Sequence, residues 1–188
     1  TGYRTTALAR ARNGLLWVGT QAGYLFALRD GAAVLCAPVD ELSGFSITSL
    51  AEDAAGRIWF SSRNGGGLGY WDGGRIHYSP PPGDERRPGW VGAICIDRRG
   101  RVWLGPARAW PGEGLCCIDG DNYSLVPLAG ASSVSALLVQ DDGDVVIGTS
   151  DGLLVLHPDG TADALTQSEG LCCELVTSLA KGRGGRLL

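Results

Sequence analysis

The chain has 188 residues, of which 44% are hydrophobic and 19% charged, a composition that suits one soluble domain with a real core and excludes a disordered chain. Its net charge of −4 argues against a nucleic-acid or anionic-membrane partner, since both need a basic face. No apolar run reaches the roughly 18 to 20 residues needed to cross a bilayer, and the first residues carry no signal-peptide pattern. The 30 glycines, set among many short apolar runs, point to tight turns and an all-β chain.

Taken in chain order, one repeat accounts for nearly every residue. Its first copy contains GLLWVGT at 14–20, the short loop TQAG, a third strand GYLFALRD at 23–30 and an Asp30-Gly31 turn. The second copy opens with the apolar strand ITSLAED at 47–53, turns at Ala55-Gly56, continues as GRIWFSS at 56–62, and closes through Asp72-Gly73 into RIHYS at 75–79. NGGGLG at 64–69 superficially matches a phosphate loop, but no helix follows it, so it reads as a loop within this copy. The third copy carries GRVWLGP at 100–106 and an Asp119-Gly120 turn, and the fourth GDVVIGT at 143–149 and GLLVLHPDG at 152–160. A fifth begins with VTSLAKGRGGRLL at 176–188. One column reads Trp17, Trp59, Trp103, Val146, Leu188, and a second reads Leu8, Leu50, Ile94, Leu137, Leu179, both in steps of 42, 44, 43 and 42 residues.

Four short strands in 42 to 44 residues are the size of one β-propeller blade. The predicted fold class is therefore an all-β β-propeller of four-stranded antiparallel blades. About four and a half are present in a single segment, 1–188, with blades near 3–44, 45–88, 89–131 and 132–173 and a partial blade at 174–188. The Trp column is expected to fill the space between neighbouring blades, with Trp17, Trp59, Trp103 and Val146 as structural positions. Asp-Gly turns predict tight hairpins in which both central residues take positive φ. Half a blade at one end predicts membership of a larger ring, of six to eight blades, completed by the same polypeptide or by a second copy.

The run ITSLAEDAAGRIWFSS, and VTSLAKGRGGRLL after SEGL, resembles the two-component regulator propeller repeat. That repeat reads roughly Val-Thr-Ser-Leu, a gap, Asp, a gap, Gly, apolar, Trp, apolar, Gly-Thr, then Gly-Leu. The resemblance implies a ligand-sensing segment of a bacterial signal-transduction sensor, in the periplasm or outside the cell, with glycans as one ligand class; a cytoplasmic location is the alternative. The chain departs from the pattern at Gly105-Pro106, at Val146, and at Ala11 and Gly182 in the acidic position.

In a blade, loops alternate between two faces. The Gly turns fall on one face, and the long segments 39–46, 80–90, 105–113 and 165–174 fall on the other. PPPGDERRPGW at 80–90 enters blade three, and GPARAWPGE at 105–113 is that blade's own loop, so both emerge on one face. Trp90, Trp110, Arg86, Arg87, Arg108 and Glu113 are the candidate ligand-binding residues, because aromatic planes bury apolar area while Arg hydrogen-bonds at the edge. A carbohydrate or a protein is the expected partner; the second would make the chain an interaction scaffold. No metal site, cofactor or catalytic set is expected. His77 and His157 show no acidic or nucleophilic partner in the sequence, and GxSxG, HExxH and P-loop motifs are absent, so an enzyme of the propeller-lyase kind is the least favoured reading. Asp53, Asp97 and Asp141 recur near the repeat's period and read as turn-fixing residues. The six Cys lack CxxC spacing and read mostly as small buried hydrophobes, with disulfides open in an oxidising compartment.

Overall fold

The computed structural model describes residues 4–36, 46–62, 67–78, 90–107, 114–129, 133–171 and 175–182. They form sixteen strands in four antiparallel sheets. The first sheet runs β1 (Thr5–Arg10), β2 (Leu16–Thr20), β3 (Leu25–Arg29), β4 (Ala32–Cys36), and the second β5 (Ile47–Glu52), β6 (Ile58–Ser62), β7 (Gly67–Trp71), β8 (Ile76–Tyr78). The third holds β9 (Val91–Ile96), β10 (Val102–Pro106), β11 (Gly114–Asp119) and β12 (Asn122–Pro127). The fourth holds β13 (Val134–Val139), β14 (Val145–Thr149), β15 (Leu153–Leu156) and β16 (Ala162–Leu165). Strand order equals chain order in every sheet, the meander expected of a blade. No helix among the described residues is long and apolar enough to cross a membrane.

The chain divides into two compact units, residues 1–91 and 92–188, each with its own core. In the first, Ala7, Trp17, Leu25 and Ala27 of blade one bury against Ile47, Leu50, Ile58, Phe60, Trp71 and Ile76 of blade two. In the second, Ala93, Cys95, Trp103, Leu115 and Cys117 of blade three bury against Val134, Val145, Ile147 and Leu156 of blade four. Trp17 and Trp103 thus fill the space between two blades, as the column predicts. In the fourth blade Val146 pairs with Leu138, whereas Trp17 and Trp59 pair with Ala9 and Ala51. A smaller residue on the second strand is matched by a larger one on the first, which conserves volume in a close-packed layer.

The Thr-Ser-Leu segment of the repeat has a mechanical reading. The first strands of blades one, two and four shift register at the same place, around Thr6, Thr48 and Ser135. An extra residue there twists the strand and re-aims one side chain. Thr48 Oγ1 donates to the Val91 carbonyl (2.9 Å), and Ser135 Oγ donates to the Val176 carbonyl, so the hydroxyl ties its blade to the first strand of the next. The preceding residue is the peg. Ile47, Val134 and Val176 press on Gly19, Gly105 and Gly148 of the blade before, where an added Cβ would meet a methyl carbon at 2.5, 2.3 and 2.6 Å. Gly at these sites makes room for the neighbouring peg.

The hairpin turns differ in part from expectation. Only Asp30-Gly31 has both central residues at positive φ, 51° and 81°. At 157–161 the Gly160 N–H instead donates to the His157 carbonyl and the His157 N–H to Thr161, a tighter turn followed by a bulge, and Asp159 Oδ1 accepts the Thr161 N–H. Asp serves there as an acceptor for its own turn, not as a residue of left-handed backbone.

Candidate functional site

The turn between the first and second strands is built alike in blades two and three. The Asp53 N–H donates to the Arg57 carbonyl and the Gly56 N–H returns to Asp53; Asp97, Arg101 and Gly100 repeat both bonds. Asp53 Oδ1 accepts the Ala55 and Arg57 N–H groups, and Oδ2 accepts Arg57 Nε (2.5 Å) and Trp59 Nε1 (2.9 Å). Asp97 does the same with Arg99, Arg101 and Trp103, at 2.6 Å to Arg101 Nε and 3.2 Å to Trp103 Nε1. The guanidinium then lies over the indole, 5.6 Å from Trp59 and 5.0 Å from Trp103. Burial pushes both carboxyls up, and the bonds from Trp and Arg together outweigh it, so both sit below the usual carboxylate range. One carboxylate thereby fixes a turn, a cation and a buried Trp of the second strand.

Asp141 is not the third member of this set. Gln140 makes the corresponding backbone bond to Asp144, and Asp141 stands one residue on, as a bridge between blades. It pairs with Arg98 of blade three and with Lys181 (2.6 Å) at the start of the fifth repeat. In the first unit Arg12 reaches Glu52 (3.2 Å) and the Asp53 carbonyl. Arg12–Glu52 and Asp141–Lys181 occupy equivalent positions with the signs exchanged.

Blade one departs most. Ala11 stands where Asp53 and Asp97 do, and Leu15 where Arg57 and Arg101 do, so carboxylate and cation are lost together. Trp17 remains, 4% exposed, and its Nε1 is a buried donor with no acceptor among the described residues. Beside it lies a recess of about 390 Å³ between blades one and two, lined by Asn13, Leu15, Trp17, Arg29, Trp71 and Asp72 among others. The second unit has an equivalent recess of about 190 Å³ beside Trp103, which shares Arg101, Gly143 and Pro158 as walls with one of about 240 Å³ over Asp97, Arg98 and Asp141.

Of the residues assigned to ligand binding from sequence, Trp90 is described: it precedes β9 and is 37% exposed. Trp110, Arg86, Arg87, Arg108 and Glu113 lie outside the described residues. Both histidines have acidic partners, contrary to the sequence reading. His77 Nε2 lies 2.6 Å from Asp72 Oδ2, and His157 bridges Asp144 (3.0 Å) and Asp163 (3.1 Å). These partners sit on other strands or across a hairpin, at separations no linear motif records. Cys95 and Cys117 are buried thiols and Cys116 is partly buried; all three are free. Burial raises Cys116 to about 11, which keeps it an unreactive thiol at neutral pH. Among the described residues no group of His, Cys, Asp and Glu could hold a metal ion.

Residues 41–64 match the two component regulator propeller family. No curated protein is similar enough to match. Many solved structures share the fold. The extracellular domain of a hybrid two component system from B. thetaiotaomicron is 19% identical with a TM-score of 0.76, over 100% of this chain and 25% of that one. Virginiamycin B lyase from Staphylococcus aureus is 14% identical with a TM-score of 0.77, over 97% of this chain and 61% of the lyase. The computationally designed Ika4 protein is 18% identical with a TM-score of 0.59, over 88% of this chain and 92% of the design. This chain thus spans a quarter of the length of the sensor domain it resembles. The repeat, the four meander sheets and the likeness agree on the fold: the chain is a run of β-propeller blades, and its residues 41–64 match the two component regulator propeller family.

Proposed function

We propose that this segment belongs to the ligand-recognition domain of a bacterial sensor, standing in the periplasm or outside the cell, with a carbohydrate as ligand. The observation that carries this reading is the regulator-propeller match at the entry to blade two. On the turn face the side chains of blades two and three are consumed by the Asp–Arg–Trp arrangement. By sequence, the long segments 80–90 and 105–113 offer Trp90, Trp110, Arg86, Arg87, Arg108 and Glu113 as the recognising residues, because aromatic side chains and charged hydrogen-bonding ends suit a sugar.

A panel of oligosaccharides, read by thermal shift and then calorimetry, tests this. A binder is expected whose affinity is lost in the Trp90→Ala/Trp110→Ala variant while the unfolding midpoint stays within a few degrees. Binding that survives the double change moves the site elsewhere on the propeller. A panel with no binder, together with capture of a purified polypeptide ligand at the same residues, favours the scaffold reading.

A further inference from the structure

We infer that the recess between blades one and two is a binding site for a small carboxylate, which supplies from outside the acceptor that blades two and three carry on their own chain. The inference rests on the first unit alone and is separate from the Trp90 region, which lies at the opposite ends of the strands.

Three observations converge. First, the repeat shows what an indole at this column bonds to: Trp59 Nε1 and Trp103 Nε1 each donate to a carboxylate oxygen that also accepts an Arg Nε. Second, Trp17 holds the same column and the same register, pairing with Ala9 and Ala27 as Trp59 pairs with Ala51 and Tyr70, yet its buried Nε1 has no acceptor among the described residues. Ala11 lacks the three heavy atoms of a carboxylate that Asp53 and Asp97 place there. Third, Trp17 lines an open recess that also holds Arg29, which is exposed and has no acidic partner among the described residues. Arg29 stands two residues beyond Ala27, the partner of Trp17, so its side chain leaves the same sheet face as Trp17.

Donor and cation together call for an anion, and a carboxylate has two acceptor oxygens to offer them. The one acid of the recess, Asp72, is already engaged: Oδ1 accepts the Gly74 and Arg75 N–H groups, and Oδ2 meets His77. Trp71 and Leu15 offer apolar walls for a short carbon chain. A buried donor left without an acceptor is costly, and the charge of Arg29 gives a carboxylate the advantage over an amide, whose carbonyl could accept the same bond.

The test uses acetate and succinate as probes, with acetamide and succinamide as uncharged controls, on the whole chain labelled with ¹⁵N. Trp17 is assigned by loss of its indole resonance in Trp17→Phe. The carboxylates should shift the Trp17 indole N–H and the Arg29 Nε–H saturably, and the amides should not. Ala11→Asp, which restores an acceptor on the chain, should weaken carboxylate binding by at least about tenfold while leaving the blade folded. Ala11→Asn, which fills the same volume without charge, should also block it. The inference is overturned by unsaturable shifts, by equal shifts with amides, or by unchanged binding in both Ala11 variants.

Discussion

Asp53 offers the sharpest test of how a blade is held. The side chain is 4% exposed and accepts four hydrogen bonds. Asp53→Ala strands the Trp59 indole N–H, a buried donor worth about 1 to 3 kcal/mol when left unmade. It also removes the acceptor of two turn N–H groups, about 1 kcal/mol together once water reaches them. Arg57 is 41% exposed at its side chain, so its unpaired charge adds at most about 1 kcal/mol. The expected loss is about 2 to 5 kcal/mol in urea unfolding. Blade one shows the repair: Ala11 is accompanied by Leu15. Asp53→Ala/Arg57→Leu should therefore lose less than the sum of the two single changes, with a coupling of about 1 kcal/mol in a double-mutant cycle. A single-variant loss below about 1 kcal/mol, or strict additivity, would refute the reasoning.

Other expectations follow the same contacts. Gly92→Ala places a Cβ 2.2 Å from the Val134 carbonyl, a backbone atom that cannot rotate away, and should cost about 1 to 3 kcal/mol by urea unfolding. Trp59→Ala should cost roughly 3 to 5 kcal/mol; an unchanged melting temperature would remove it from the core. The carboxyls of Asp53 and Asp97 are depressed by folding, so their contribution is present above pH about 4 and is lost as pH falls below it. Acid titration of Asp53→Asn/Asp97→Asn should show a shallower loss there than the parent. His157 is raised by its bonds to Asp144 and then Asp163, so its contribution is complete below about pH 6.5 and fades as pH rises through the raised value. His157→Gln should flatten that alkaline limb, and an unchanged limb would deny the pairing.

Period and composition alone made the blades legible, because each copy repeats both an apolar column and a turn residue at the same spacing. Trp17 and Trp103 lie between blades because a residue of that volume on a second strand has nowhere else to be buried. The partners of that column were harder to read. Asp53 and Asp97 were recognisable as turn residues, but their second oxygen bonds an indole six residues on, a contact that depends on the turn's geometry. Asp141 keeps the spacing and still leaves the set, because the third step is one residue shorter and the register moves to Gln140. The histidines pair across hairpins, where sequence separation carries no signal. The loop residues from Arg86 to Glu113 belong to non-repeating segments, and no column constrains them.

The most direct test of the account is hydrogen exchange at the indole N–H of Trp17, Trp59 and Trp103, followed by NMR on the parent, Asp53→Asn and Asp97→Asn. The account predicts slow exchange at Trp59 and Trp103, accelerated in each case by loss of that blade's own carboxylate and untouched by the other. Exchange at Trp17 should be faster than at both and indifferent to either change. Equal protection of all three indoles, or acceleration that ignores which Asp was replaced, would contradict it.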